Sequence, residues 1–220
     1  MLYLRLMKLE QLFDFQKFAH KELFVEAKNL WNPIKNLDSF LESFYEVRKD
    51  KLLVGAGTKI DPSAKIEGFA IIGKNCQINE GVLLRDGVVI GDNCVIGHAT
   101  EIKHSILLSD TNAAHFNYIG DSILGNNVNF AAGAIAANFK HNVQSEIVNL
   151  NIDNKQVSTG LRKFGSLVGD GTQVGCNAVL DPGTILGKNT SVYPLAAIRG
   201  TVPENKLVKY KQEYEIVDKV

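Results

Sequence analysis

Residues 60–108 read IDPSAKIEGFAIIGKNCQINEGVLLRDGVVIGDNCVIGHATEIKHSILL, with aliphatic residues at Ile60, Ile66, Ile72, Ile78, Leu84, Ile90, Ile96, Ile102 and Leu108. That is nine consecutive hits at steps of six. Four residues after each hit the chain often carries a small or polar residue, as at Ala64, Ala70, Cys76, Cys94 and Thr100. The same phase returns at Val168, Val174, Leu180, Leu186, Val192 and Ile198. A helix places apolar residues three or four apart and a half-buried strand places them two apart. A period of six fits neither. It predicts an all-β chain, a parallel β-helix in which each hexad is a short strand plus a bend. Three hexads close a triangular coil and bring the chain back about 4.8 Å higher, one strand spacing. The aliphatics then point into the prism and stack in columns, and small residues mark the sharp bends.

Working outward, two segments escape the repeat. Over 6–31, Leu9, Leu12, Phe13, Phe15, Phe18, Leu23, Phe24, Ala27, Leu30 and Trp31 recur at roughly helical spacing. Pro33 ends that run, and Asn36 or Asp38 caps a second helix over 37–49. Residues 1–52 are therefore expected to be a helical segment packed on the prism, whose repeat spans 53–203. Residues 137–165 leave the hexad phase for too long to form a bend and read as a loop ejected from a coil, a common place for function. A charged, Tyr-bearing stretch, 204–220, is expected to form a short C-terminal helix.

The chain of 220 residues carries 24 basic and 24 acidic side chains and 45% hydrophobic residues. This is the composition of a globular protein. A formal charge of zero without a Lys/Arg run removes the electrostatic case for nucleic acid or an anionic membrane as partner. The start, MLYLRLMKLEQLFDF, lacks the order of a signal peptide, so a cytoplasmic location is expected. Cys76, Cys94 and Cys176 form no CxxC pair and read as reduced thiols.

Candidate site residues come from the coil geometry. Arg85 and Lys103 each follow an inward aliphatic and are 18 residues apart, so they stack one strand spacing from each other on one face. Neighbouring carboxylates such as Asp86 and Glu101 would relieve their repulsion on an ordinary surface. A bound phosphate would do the same, and its oxygens suit a guanidinium beside an ammonium. Beyond Lys103 the phase slips within Ala114-His115-Phe116-Asn117-Tyr118-Ile119-Gly120-Asp121, because Leu124 and Phe130 stand off the earlier register. His115 is the candidate general base there, since imidazole titrates near neutral pH, although a lone histidine is more often structural. His98 and His104 are six apart, which sends them to different faces and argues against a metal site. Cys76 and Cys94 occupy one small-residue column, where packing explains them.

These features bring out a resemblance. The AHFNYIGD, NNVNFAAGAIAANF and TGLRKFGSLVGDG stretches, with Arg85, Lys103, His115, Tyr118, Asn129 and Asn138 in order, resemble the acetyltransferase domain of the bifunctional N-acetylglucosamine-1-phosphate uridyltransferase / glucosamine-1-phosphate acetyltransferase family. The pattern also resembles archaeal-type sugar-1-phosphate nucleotidylyltransferase/acetyltransferases, over about residues 53–203. The resemblance implies left-handed winding, acetyl-CoA as co-substrate, an amino sugar phosphate such as glucosamine-1-phosphate or galactosamine-1-phosphate as acceptor, and a homotrimer with sites between subunits. It also implies roles. His115 would take the amine proton, and Asn138 would orient the acyl group or the sugar. Arg85 and Lys103 would hold the phosphate, Tyr118 and Asn129 the sugar. Lys163 would contact phosphate or CoA, and Cys176 with the backbone from Pro194 through Ala196 to Ala197 would line the CoA groove.

Ala114 and Ala131 replace glycines of the family pattern, and Phe116 and Asn117 differ from its usual neighbours. No Gly-rich nucleotide loop precedes the repeat, so uridyl transfer is not expected of these residues. Two other readings fit the same prism: acylation of a nucleotide-linked amino sugar, and a non-catalytic trimeric scaffold or regulatory subunit.

Overall fold

The structure, a computed structural model, describes residues 7–140, 147–153, 155–211, 213 and 215–216. From Leu52–Val54 to Leu207–Val208 the chain winds as a parallel β-helix of three faces. One inward column runs Ile60, Ile78, Ile96, Ala113, Phe130, Val174, Val192, Val208. The second runs Ile66, Leu84, Ile102, Ile119, Ala136, Leu180, Ile198. The third runs Ile72, Ile90, Leu107, Leu124, Val168, Leu186, Val202. The faces are called first, second and third accordingly. Most members of these columns are buried, and the prism they fill is an unbroken apolar core.

The slip in the repeat begins earlier than the sequence suggests. Leu107, not Leu108, enters the third column, and the hexad that starts at Ile102 is one residue short. The shortening lies at the corner between the second and third faces. Below it, the chain turns with two left-handed residues, Asp86 (φ 57°) and Gly87 (φ 90°). His104 (φ 44°) makes the next turn alone, and Asp121 (φ 45°) makes the one above. Each coil there has 17 residues instead of 18, as the pairings Ile102 with Ile119 and Ile119 with Ala136 require.

Another corner explains the cysteines. Thr58, Thr111, Thr172 and Thr190 donate their hydroxyls to the carbonyls of Gly73, Gly125, Gly187 and Pro203. Cys76 and Cys94 stand in the same column and direct their thiols to the carbonyls of Gly91 (3.1 Å) and Leu108 (3.2 Å). They are buried substitutes for a threonine, as the packing reading requires.

The third face is apolar on its outside as well. Ile71, Val89, Ile106, Leu108, Ile123, Leu167 and Ile185 point outward into a cluster with Leu9, Leu12, Phe13, Phe15, Phe18, Phe24, Leu37 and Leu41. A strand buried on both sides reads as a run of aliphatics rather than an alternation. The covering segment is less helical than expected. Instead of one helix over 6–31 there are a 3-10 turn, Leu9–Gln11, and a single helical turn, α1, Glu22–Val25. Pro33 does not end a helix but lies at the start of α2, Asn32–Lys35, where a missing N–H costs nothing. α3 spans Leu37–Arg48, with Asn36 at its N-cap position and no side-chain cap. The irregular part is tied down by Asp170, whose carboxylate accepts from the Asp14 N–H (2.6 Å) and whose own N–H donates to the Leu12 carbonyl (3.0 Å). Docking on a flat sheet face fixes each large side chain individually, so the helical period is not needed.

Two further expectations change. The described residues between Asn138 and Phe164 carry a hairpin, Asn149–Ile152 against Lys155–Ser158, whose Leu150 and Ile152 extend the cover of the third face. Residues 141–146 and 154 of that loop lie outside the described residues. The expected C-terminal helix is absent among the described residues of 204–220. Leu207–Val208 adds a last strand to the first face, and the coil thus runs past residue 203. Residues 212, 214 and 217–220 are outside the description.

Candidate functional site

Side chains on a strand alternate, so residues flanking each inward member of the second column face outward. This puts Arg85 directly under Lys103, as their register shows. Tyr118 and Gly120 stand in the coil above, over Glu101 and Lys103. Asn138 follows at the next corner, nearly buried. A Cβ on Gly120 would come within 2.7 Å of both the Tyr118 hydroxyl and the Asn138 amide nitrogen. The glycine is what lets these two groups approach each other. Burial, with the carboxylates of Glu101 and Asp121 nearby, pushes the Tyr118 phenol up, so it stays a neutral hydroxyl at physiological pH.

Both cations carry carboxylate partners. The Arg85 guanidinium meets Glu101 through Nε (2.8 Å) and Nη2 (2.7 Å) and Asp86 through Nη1 (2.9 Å). Lys103 Nζ is 3.4 Å from Asp86 and 3.6 Å from Asp121. Asp86 Oδ2 thus touches both cations from an exposed position, while Lys103 and Asp121 are largely buried.

His115 belongs to a different part of the surface. It is exposed at the corner between the first and second faces, stacked in register on His98. With Asp61, Asn79, Glu80, Val95, His98 and Ala114 it lines a shallow depression of about 480 Å³. The buried Asn117 holds this corner. Its side-chain oxygen accepts from the His115 N–H (3.3 Å), and its amide donates to the carbonyls of Ala131 (2.7 Å) and Ala134 (3.2 Å). Phe116, 59% exposed with φ 51°, leans edge-on to His98.

The sequence-derived set thus separates into two groups. Arg85, Lys103, Tyr118 and Asn138 come together on the second face. Asn129 is on the first face, beside Asn112 and Gln173. Cys176 and Pro194 lie exposed on the same ridge as His115, further along the coil, and Ala196 is tucked beneath them. Lys163 is exposed at the foot of the ejected loop, next to the buried Phe164. His98 and His104 do occupy different corners. No group of three or more His, Cys, Asp or Glu among the described residues is arranged to hold a metal. No helix among them is long and apolar enough to cross a membrane. His104 and Asp121, which sequence reasoning left out, lie at the centre of the second-face cluster. The one signal that marks them is the shortened hexad.

Comparison with known proteins bears on this geometry. Residues 53–86 and 70–104 match the family model of the bacterial transferase hexapeptide (six repeats). The stacked hexads of the coil agree with that match. The chain is also similar in sequence to bifunctional sugar-1-phosphate nucleotidylyltransferase/acetyltransferases. The one from Sulfurisphaera tokodaii is 31% identical over 108 residues, 49% of this chain and 26% of that protein. Bifunctional protein GlmU from Thermosynechococcus vestitus is 32% identical over 155 residues, 70% of this chain and 26% of its own length. The chain spans about a quarter of these relatives. A solved AntD mutant, an N-acyltransferase from Bacillus cereus in complex with dTDP-4-amino-4,6-dideoxyglucose and Coenzyme A, aligns with a TM-score of 0.41 and 14% identity, covering 76% of this chain and 84% of that one.

Proposed function

We propose that the protein is an acetyl-CoA-dependent N-acetyltransferase acting on an amino sugar phosphate. One observation carries the reading: Arg85 and Lys103 stack in register beside Tyr118 and Asn138, on the face that follows the His115 corner. The cations supply the charge for a phosphate and the phenol and amide supply donors for sugar hydroxyls. In this reading His115 removes the proton as the substrate amine attacks the thioester, and the thiol of CoA leaves. Backbone N–H groups at the coil edge offer stabilisation to the developing oxyanion. The acetyltransferase relatives named above support the reaction class. Cys176, Pro194 and Ala196 would flank the pantetheine arm, with Asn129 and Lys163 reaching substrate from the first face and the loop.

A homotrimer belongs to the same proposal. The third face is covered by the chain's own N-terminal residues, which leaves the first and second faces for neighbours. Packing the first face of one copy near the second face of another would bring a His115 ridge toward an Arg85–Lys103 cluster. In solution such a site would occur three times per particle.

The test is thiol release from acetyl-CoA, with glucosamine-1-phosphate and galactosamine-1-phosphate offered separately beside a no-sugar blank. Sugar-dependent release supports the proposal and ranks the epimers. No release at millimolar substrate by an intact oligomer overturns it in favour of a scaffold role.

A further inference from the structure

We infer that Asp121 is a positioning residue of the second-face site, holding the Asn138 amide and the Lys103 ammonium in place while His104 fixes its own carboxylate. The inference rests on the acyl-transfer reading for what the site does, but not for the geometry. Asp121 is nearly buried and its two oxygens have separate partners. Oδ1 faces His104 Nδ1 at 2.9 Å. Oδ2 accepts from the Asn138 amide and lies 3.6 Å from Lys103 Nζ. Burial by itself raises the pKa of such a carboxyl, yet hydrogen bonds from His104 and Asn138 and the charge of Lys103 outweigh it and hold Asp121 below the ordinary value. It is therefore an anion at neutral pH, able to accept from His104 and Asn138 and to pair with Lys103.

The backbone gives an independent argument. The corner column that carries Gly68, then Asp86 with Gly87, in the coils below has His104 and Asp121 in left-handed conformation. Such strain favours glycine, and a non-glycine residue held in it tends to have a side-chain role. Both strained residues direct their side chains at each other. On its other side His104 Nε2 faces Asp38 of α3 at 3.4 Å. Glu42, Asp86 and Lys103 line the same cavity of about 380 Å³. The chain Asp38, His104, Asp121, Asn138 thus links the N-terminal cover to the site. The loop closes on it too, as the Gly165 N–H donates to the Asp121 carbonyl (2.9 Å) and the Phe164 N–H to that of Asn138 (3.0 Å).

Asp121→Asn tests the inference in the full chain, because asparagine keeps the shape and tolerates the left-handed corner. Three readouts are needed: kcat and KM for acetyl transfer, the melting temperature, and the side-chain NMR signals of Asn138 (amide) and His104 (ring nitrogens). A positioning role predicts that kcat falls about 10- to 100-fold, as expected for a misplaced group. It also predicts displaced Asn138 and His104 signals and a melting temperature within about 3 °C of the parent. His104→Asn, which keeps a donor for Asp121, should retain several-fold more activity than His104→Ala. Activity within twofold of the parent in Asp121→Asn, or unmoved Asn138 signals, overturns the inference. If the parent shows no sugar-dependent transfer, it is the functional reading that fails. The NMR comparison then decides the positioning role alone.

Discussion

Asp86 Oδ2 lies 2.9 Å from Arg85 Nη1, and the oxygen that closes this pair is also the one nearest Lys103. An internal carboxylate therefore stands where the proposed phosphate would bind. It relieves the repulsion between the stacked cations while leaving them exchangeable, since Asp86 is more than half exposed and such pairs are worth only about 0–1 kcal/mol. A dianionic phosphate brings more charge to the same place and displaces it.

Removing that internal competitor should sharpen substrate binding. Asp86→Asn, which retains a residue suited to the left-handed corner, is expected to lower the KM for a phosphorylated acceptor by about two- to fivefold. Steady-state kinetics with the phosphorylated and free amino sugars check this, and an unchanged or higher KM for the phosphorylated one removes Asp86 as a competitor.

Arg85→Ala has the opposite effect. Losing the guanidinium should raise the phosphorylated acceptor's KM by about tenfold or more with a smaller change in kcat, the pattern of lost ground-state binding. The KM for acetyl-CoA should stay put. Equal use of the free amino sugar by the parent would contradict the phosphate role of this residue.

His115→Ala should leave the fold untouched, because the side chain is exposed and only its backbone is engaged in the corner. Loss of a general base predicts a fall in kcat of about 10²- to 10⁴-fold. Full activity with an unchanged melting temperature would exclude His115 as the base.

Acid stability carries a signature of Asp121. Its folded-state pKa lies below the unfolded value of about 3.9. The unfolded chain therefore binds the proton more readily, and the stabilising contribution is present above that value and lost as pH falls through the folded pKa. Thermal melts between pH 6 and pH 3 should show a steeper loss at the acid end in the parent than in Asp121→Asn. Parallel curves would mean that the carboxylate contributes no such linkage.

The interior makes a contrasting pair of predictions. Cys94→Thr restores the corner residue used at Thr111 and Thr172, so the melting temperature should move by less than about 3 °C. Ile102→Ala empties a fully buried place in the second column and should cost about 2–5 kcal/mol by denaturant titration. A destabilised Cys94→Thr would show that the cysteine column is packed too tightly for a second branch.

What the sequence determined by itself is the prism. A strict period of six can be satisfied only by a coil that turns every six residues, and the stacking of Arg85 under Lys103 follows from that spacing alone. More was legible than the periodicity reading drew out. The doublets Ile71-Ile72, Val89-Ile90, Ile106-Leu107, Ile123-Leu124, Leu167-Val168 and Ile185-Leu186 recur once per coil and mark the face buried on both sides. Tertiary structure alone decided the rest. The Phe-rich segment adopts turns because its rings are fixed by a sheet face far away in sequence, which overrides local helical spacing. The corner at His104 and Asp121 loses one residue, and the place of that deletion is invisible in a pattern whose aliphatics run on through Leu107 and Leu108. The partners of Asp121 come from two coils and a loop end. No local rule couples residues that meet only after the chain has wound back over itself.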